Sequence, residues 1–264
     1  MSFFSVSHMS VGYGNGHVIE DVSFDLNRGS LMGVLGANGS GKTTMLKAIC
    51  GILPHKGECM LEQLRLENLS VRQMAKLCSY IPQRSGISID ISVLDVVLMG
   101  FNPLLGLLEN PTQSMQYSAM QALTQVGLAK KAHTNYLHLS EGQKQLCILA
   151  RTLVAGSKLL LLDEPESALD FRYRYRMLVL LRNWVEQTQS SAIVTLHDPM
   201  LALNYCEILL LLANGNIVGM LHPKTDSIET MEPMLRKIYG NISLQYVTAQ
   251  NGTRQLIMLN EDNV

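Results

Sequence analysis

The sequence predicts an α/β domain: a mainly parallel sheet with helices on its faces and a helical segment inserted in the chain. Three observations carry this. Short apolar runs recur at Leu31–Leu35, Lys158–Leu162, Ala192–Leu196 and Ile208–Leu212, the mark of buried strands. Helical stretches lie between the later runs, and that alternation builds a parallel sheet. From Ser92 to about Gly156 the chain reads as helices separated by Asn102-Pro103, Asn110-Pro111 and Gly127, an insertion.

The remaining elements follow in chain order. The first segment alternates and ends in Gly12-Tyr13-Gly14-Asn15-Gly16, a turn between two short strands. Val18–Leu26 reads as a strand closed by Asn27-Arg28-Gly29. After Leu31–Leu35 and a glycine-rich loop, Thr43–Cys50 reads as a helix stopped by Gly51 and Pro54. Cys78–Ile81 is a strand ended by Pro82. Ile242–Val247 and Gln255–Leu259 flank Asn251-Gly252, a hairpin signal.

Hydrophobic residues make up 47% of the 264, enough for a substantial core. Charged residues are 16%, against about 25% in an average soluble protein. That deficit fits either a surface covered by a partner or a large core with a sparsely charged surface. A net charge of −1 supplies no basic field for nucleic acid. Arg172, Arg174 and Arg176 alternate with Phe171, Tyr173 and Tyr175, but Met177–Leu181 continues them as one face of an ordinary helix. The five cysteines are odd in number and form no CxxC pair, which favours a reduced compartment and, by the same spacing, argues against a zinc site. The N-terminal residues resemble no leader, and no apolar run approaches the roughly 20 residues of a membrane span. A membrane role is expected through a partner.

Gly36-Ala37-Asn38-Gly39-Ser40-Gly41-Lys42-Thr43 fits G-x-x-x-x-G-K-[ST]. Its glycines permit turns that aim successive N–H groups at phosphate oxygens, and the helix beginning near Lys42 adds its positive end. Lys42 offers a full charge to the β- and γ-phosphates, and the Thr43 hydroxyl can ligate Mg²⁺. The loop sits between a buried strand and a helix, as this chemistry requires. Downstream, Leu159–Leu162 ends in Asp163-Glu164. Ligands of open parallel sheets sit at the carboxyl ends of strands, so Asp163 is placed to hold Mg²⁺ and Glu164 to polarise an attacking water.

With these motifs in place, the sequence resembles the ABC ATPase family over nearly its whole length. Leu139-Ser140-Glu141-Gly142-Gln143 resembles the signature LSGGQ, and Ser167-Ala168-Leu169-Asp170 the D-loop. Gln83 is similar to the Q-loop glutamine, His197 to the switch histidine and Tyr13 to the adenine-stacking aromatic. The resemblance implies a P-loop NTPase fold with a RecA-like core (1–84 and 157–221), an N-terminal antiparallel β-subdomain, a helical signature subdomain (85–156) and a short C-terminal extension (222–264). It implies ATP and Mg²⁺ as ligands. Glu164, His197, Gln83 and Lys42 would serve hydrolysis. Tyr13, the loop from Gly36 through Thr43, Thr44, Ser140, Gly142 and Gln143 would hold nucleotide, and Thr43, Gln83 and Asp163 the metal.

The chain has one phosphate loop, so the resemblance implies a homodimer with ATP at its interface. It further implies two transmembrane permease subunits, an indirectly engaged substrate-binding protein, no nucleic acid, and a peripheral position on the cytoplasmic side of the inner membrane. Leu94–Gly100 and Leu196–Tyr205 resemble the iron-siderophore, haem and cobalamin importers. A molybdate importer, an exporter and a nucleotide-binding regulator with little turnover stay open. Two departures stand out. Glu141 replaces a signature glycine and is expected to point away from the nucleotide. Glu166 replaces the usual threonine after Asp163-Glu164-Pro165, with little expected consequence. Independently of the family, Ser140-x-x-Gln143 is also a capping box.

Overall fold

The computed structural model describes residues 2–262 apart from 15, 84–85 and 107. Asn15 of the predicted turn and the boundary at 84–85 therefore lie outside the described residues.

Strands β1 (Phe4–Tyr13) and β2 (Gly16–Leu26) form an antiparallel pair. They are 10 and 11 residues long, not short: alternating burial lets each run the full depth of a half-buried sheet. Strand β3 (Leu31–Leu35) is buried throughout and feeds the glycine loop and helix α1 (Lys42–Ile49). Then come β4 (Lys56–Leu61), the two-residue β5 (Leu64–Arg65), α2 (Val71–Leu77) and β6 (Cys78–Ile81). The predicted insertion contains α3 (Val93–Leu98), α4 (Gln113–Val126) and α5 (Glu141–Val154). Each begins at a side-chain cap, from Ser92, Thr112 and Ser140 respectively, and α4 ends on left-handed Gly127. The chain continues with β7 (Leu159–Asp163), α6 (Phe171–Thr188), β8 (Ser191–Thr195), α7 (Pro199–Tyr205), β9 (Ile208–Ala213), β10 (Asn216–Leu221), α8 (Ile228–Tyr239), β11 (Ile242–Thr248) and β12 (Arg254–Asn260).

Two sheets result, besides the β11–β12 hairpin. The larger has order β10-β9-β3-β8-β7-β6 and is parallel except for β10. The smaller, β2-β1-β4-β5, is antiparallel. The central strands are apolar on both faces because both are covered. Met32, Val34, Leu159, Leu161 and Ile193 join the core shared with α1 and the antiparallel sheet. Their alternates Leu31, Leu35, Leu160, Leu162 and Val194 join the core formed with α5, α6 and α7. Each buried aliphatic side chain contributes about 1.5–3 kcal/mol. On α6, Met177, Leu178, Leu181 and Val185 are buried, while Arg174 and Arg176 bond the carbonyls of Leu169 and Gln125. The arginine run thus opens an amphipathic helix, with Phe171, Arg172 and Arg176 exposed and Met177, Leu178, Leu181 and Val185 turned to the core.

Several sequence boundaries shift by one or two residues at frayed ends, as with α1, predicted over Thr43–Cys50. Strand β4, edge strand β10 and helix α8 have no counterpart in the sequence reading. Strand β4 is held by non-local antiparallel pairing, with Phe4 opposite Leu61; β10 closes a local hairpin with β9 across Asn214-Gly215, with Ile217 opposite Leu212.

Candidate functional site

The phosphate loop opens directly from the carboxyl end of β3. Two of its glycines are dictated by space. A Cβ at Gly36 would lie 2.2 Å from the Leu212 carbonyl oxygen. At Gly41, with φ of 104°, it would lie 2.5 Å from Ile19 Cδ1. Lys42 is buried, and its Nζ donates to the carbonyls of Gly36 at 2.7 Å and Ala37 at 3.1 Å. Burial pushes its pKa down, partly countered by the carboxylates of Glu164, Asp163 and Glu166. The buried Ser40 hydroxyl has no bonding partner among the described residues. A cradle closed to side chains, a buried ammonium and an orphan hydroxyl fit an anionic ligand.

At the end of β7, Asp163 is buried and gathers three hydroxyls. Thr43 Oγ1 donates to its Oδ1 at 2.9 Å, Thr195 Oγ1 to the same oxygen at 3.1 Å, and Tyr80 OH to Oδ2 at 3.1 Å. Thr43 and Asp163 thereby bring two hard oxygen donors to one point, the donor type Mg²⁺ requires.

Glu164 follows on a turn with φ of 46°, a left-handed conformation costing a non-glycine residue about 1–3 kcal/mol. Its N–H donates to Thr195 Oγ1 at 2.8 Å. The twist exposes the carboxylate to two side chains: Gln83 Nε2 and His197 Nε2 each lie 2.7 Å from Glu164 Oε2. A carboxylate so oriented beside a phosphate cradle can take a proton from water. A cleft of ≈ 210 Å³ is lined by half-exposed Tyr13, by Val18, by the loop residues Asn38–Thr44 and by Glu164.

The signature residues are elsewhere. Ser140 and Gln143 form the predicted capping box, each accepting the other's backbone N–H at 3.3 Å. Gln143 also accepts from Lys131 Nζ at 2.9 Å. Gly142 packs toward the Ala168 carbonyl of the D-loop. None of the three lines the cleft. Glu141 points outward: its carboxylate, 74% exposed, takes Lys144 Nζ at 2.7 Å. Restoring glycine there should therefore leave phosphate release within about a factor of two, since an exposed pair contributes only about 0–1 kcal/mol. A many-fold rise in turnover would mean that the carboxylate restrains the site.

Glu166 corrects the sequence reading. It is buried, its Oε1 accepts the His197 N–H at 2.9 Å, and its Oε2 has no bonding partner among the described residues. The residue thus anchors the backbone that carries His197. Burial pushes its carboxyl pKa up, the His197 N–H only partly offsetting that. Such a group stabilises the fold fully below the ordinary carboxyl pKa, and the contribution is lost as pH rises through the raised value. Glu166→Gln keeps the acceptor and cannot ionise. Its melting temperature should fall less than that of the parent over that pH range. Parallel curves would assign the titration elsewhere. Tyr80, Thr195 and Gln145 were also missed; Gln145 bonds the Gln83 carbonyl. Their one sequence signal is polarity at the ends of apolar stretches.

Fold and site together define a P-loop NTPase of the ATP-binding cassette type. The ABC transporter family model matches residues 19–167. The hemin import ATP-binding protein HmuV of Bordetella pertussis is 35% identical over 242 residues, covering 88% of this chain and 90% of that one. A protein assigned to iron chelatin transport in Helicobacter pylori is 34% identical over 198 residues, covering 74% and 78%. A solved inward-facing structure, assigned to the metal-chelate type of ABC transporter, superposes with a TM-score of 0.82 at 27% identity over 99% of both chains. The chain belongs to the ABC transporter family and is its ATP-binding, ATP-hydrolysing component.

Proposed function

We propose that this chain drives import of a metal chelate by hydrolysing ATP at sites shared between two copies. The observation that carries the hydrolytic part is the Glu164 carboxylate, held by Gln83 and His197 at the mouth of the phosphate cradle. In this reading Lys42 and the loop N–H groups bind the phosphates, and Tyr13 stacks on the base. Thr43 and Asp163 would hold Mg²⁺, with Gln83, whose amide meets Glu164 in this structure, as a further ligand; the ion would screen phosphate charge. Glu164 takes the proton of the attacking water and His197 supports the developing charge.

Ser140, Gly142 and Gln143 would meet the γ-phosphate of the other copy, which accounts for their distance from this chain's own cleft. Closure of the pair on ATP would draw the helical segments together and move two permease subunits. Among the described residues no helix is long and apolar enough to cross a membrane, in keeping with peripheral attachment to the membrane's cytoplasmic face. The haem and metal-chelate relatives support an iron-siderophore, haem or cobalamin cargo delivered by a substrate-binding protein. The outward Glu141 speaks against a regulator that does not turn over.

The test is to co-purify the chain with its membrane partner, reconstitute the complex in vesicles, and measure ATP-driven movement of ferric siderophore, haem, cobalamin and molybdate. Inward movement of one chelate is expected. Outward movement, or movement of molybdate alone, would overturn the cargo assignment.

A further inference from the structure

Away from the nucleotide cleft, three groups of different chemistry converge. His55 lies in the loop after α1, Cys59 in β4 and Glu67 in the helical turn Leu66–Asn68 after β5. His55 Nε2 lies 2.8 Å from Glu67 Oε1 and 3.8 Å from Cys59 Sγ, and the three ligand atoms lie within 4.8 Å of one another. The His55 side chain is 7% exposed and that of Glu67 23%; Cys59 is buried. Sequence spacing hid the group, because its members come from a loop, a strand and a helical turn beyond the next strand and include one cysteine only.

We propose that His55, Cys59 and Glu67 form a binding site for one zinc-class divalent cation. The geometry is close to what the ion needs. Zn–S of about 2.3 Å and Zn–N or Zn–O of about 2.0–2.2 Å give tetrahedral edges of about 3.6 Å for S···N and about 3.3 Å for N···O. The Sγ–Nε2 separation already fits, and the Glu67 carboxylate need retreat only about half an ångström from the ring. A mixed thiolate, imidazole and carboxylate set suits zinc and does not suit Mg²⁺ or Ca²⁺, which take oxygen shells.

Outer contacts are present as well. Cys59 N–H donates to Glu67 Oε1 at 2.7 Å, and Arg65 Nε to Oε2 at 3.3 Å, the kind of support that orients metal ligands. His55 and Glu67 line a cavity of ≈ 350 Å³, and His55 also lines a second of ≈ 510 Å³. These cavities give room beside His55 and Glu67 for a water as fourth ligand and for entry of the ion. On binding, the Cys59 thiol gives its proton to solvent and the thiolate lone pair to the cation. His55 Nε2 gives up the hydrogen it shares with Glu67 Oε1 and turns its lone pair to the ion, so at least one proton, that of the thiol, leaves per ion. The ion would tie the loop after α1 to β4 and to the turn beyond β5.

The test uses the full, tag-free, metal-stripped chain, titrated calorimetrically with Zn²⁺ in two buffers of different ionisation enthalpy. One ion bound and at least one proton released per chain are expected, with no uptake of Mg²⁺ or Ca²⁺ at this site. His55→Ala and Glu67→Gln should each weaken Zn²⁺ affinity by more than about 100-fold. Co²⁺ should give a thiolate-to-metal charge-transfer band that Cys59→Ser abolishes. Retained ATP binding confirms folding of each variant, and the His55 variant carries the test if the buried Cys59 change misfolds. Absence of Zn²⁺ binding, or binding unchanged in His55→Ala and Glu67→Gln, overturns the site.

Discussion

Glu164→Gln should leave ATP bound and slow its hydrolysis by about 10²–10⁴-fold, the contribution of a positioned general base. Gln83 and His197 both face Glu164 Oε2 at 2.7 Å, so the carboxylate is held with its proton-accepting oxygen fixed. The amide that replaces it has the same shape but cannot take a proton from water. Binding survives because Lys42 and the loop are untouched, and the loss of a negative charge beside the phosphates favours ATP. The variant should accumulate as an ATP-bound dimer, visible by size-exclusion chromatography with Mg²⁺ and ATP. Single-turnover phosphate release at the parent rate would remove Glu164 from catalysis.

Lys42→Ala should act one step earlier. Each charge-assisted hydrogen bond lost is worth about 1.5–3 kcal/mol, so ATP affinity should fall by about 10- to 150-fold or more. The ammonium is held between the Gly36 and Ala37 carbonyls on the wall of the cleft, where a phosphate can take it over. Truncation removes the cation and leaves the carbonyls without their donor. Calorimetric titration with ATP and Mg²⁺ reads the effect. An unchanged dissociation constant would mean that the loop does not hold the phosphates through Lys42.

The parallel sheet was legible because Leu31–Leu35, Leu159–Leu162 and Ile208–Leu212 are buried on both faces and so read as unbroken apolar runs. The phosphate loop and the acids after β7 were legible because their chemistry is compressed into adjacent residues. The capping box at Ser140 was legible for the same local reason. Apart from the local β9–β10 hairpin, what escaped depends on distance along the chain. Strand β4 is amphipathic and acquires its identity from β1, with Val6 opposite Cys59. Thr195 and Tyr80 sit in strands that look merely apolar, yet the sheet order delivers both hydroxyls to Asp163. Glu166 reads as a loop acid; burial beneath the backbone of His197 gives it a different role.

The most direct test of nucleotide sites shared between copies is ATPase activity after mixing two inactive variants, Ser140→Arg and Lys42→Ala. If Ser140 serves the nucleotide held by the other copy, a mixed dimer has one site with both defects and one with neither. The intact site joins Lys42 of the first variant to Ser140 of the second. Activity should return on mixing, with crosslinking across the pair showing that mixed dimers have formed. Mixed dimers that form yet stay silent, while ATP-dependent crosslinks fail to join the signature helix of one copy to the phosphate loop of the other, would contradict it.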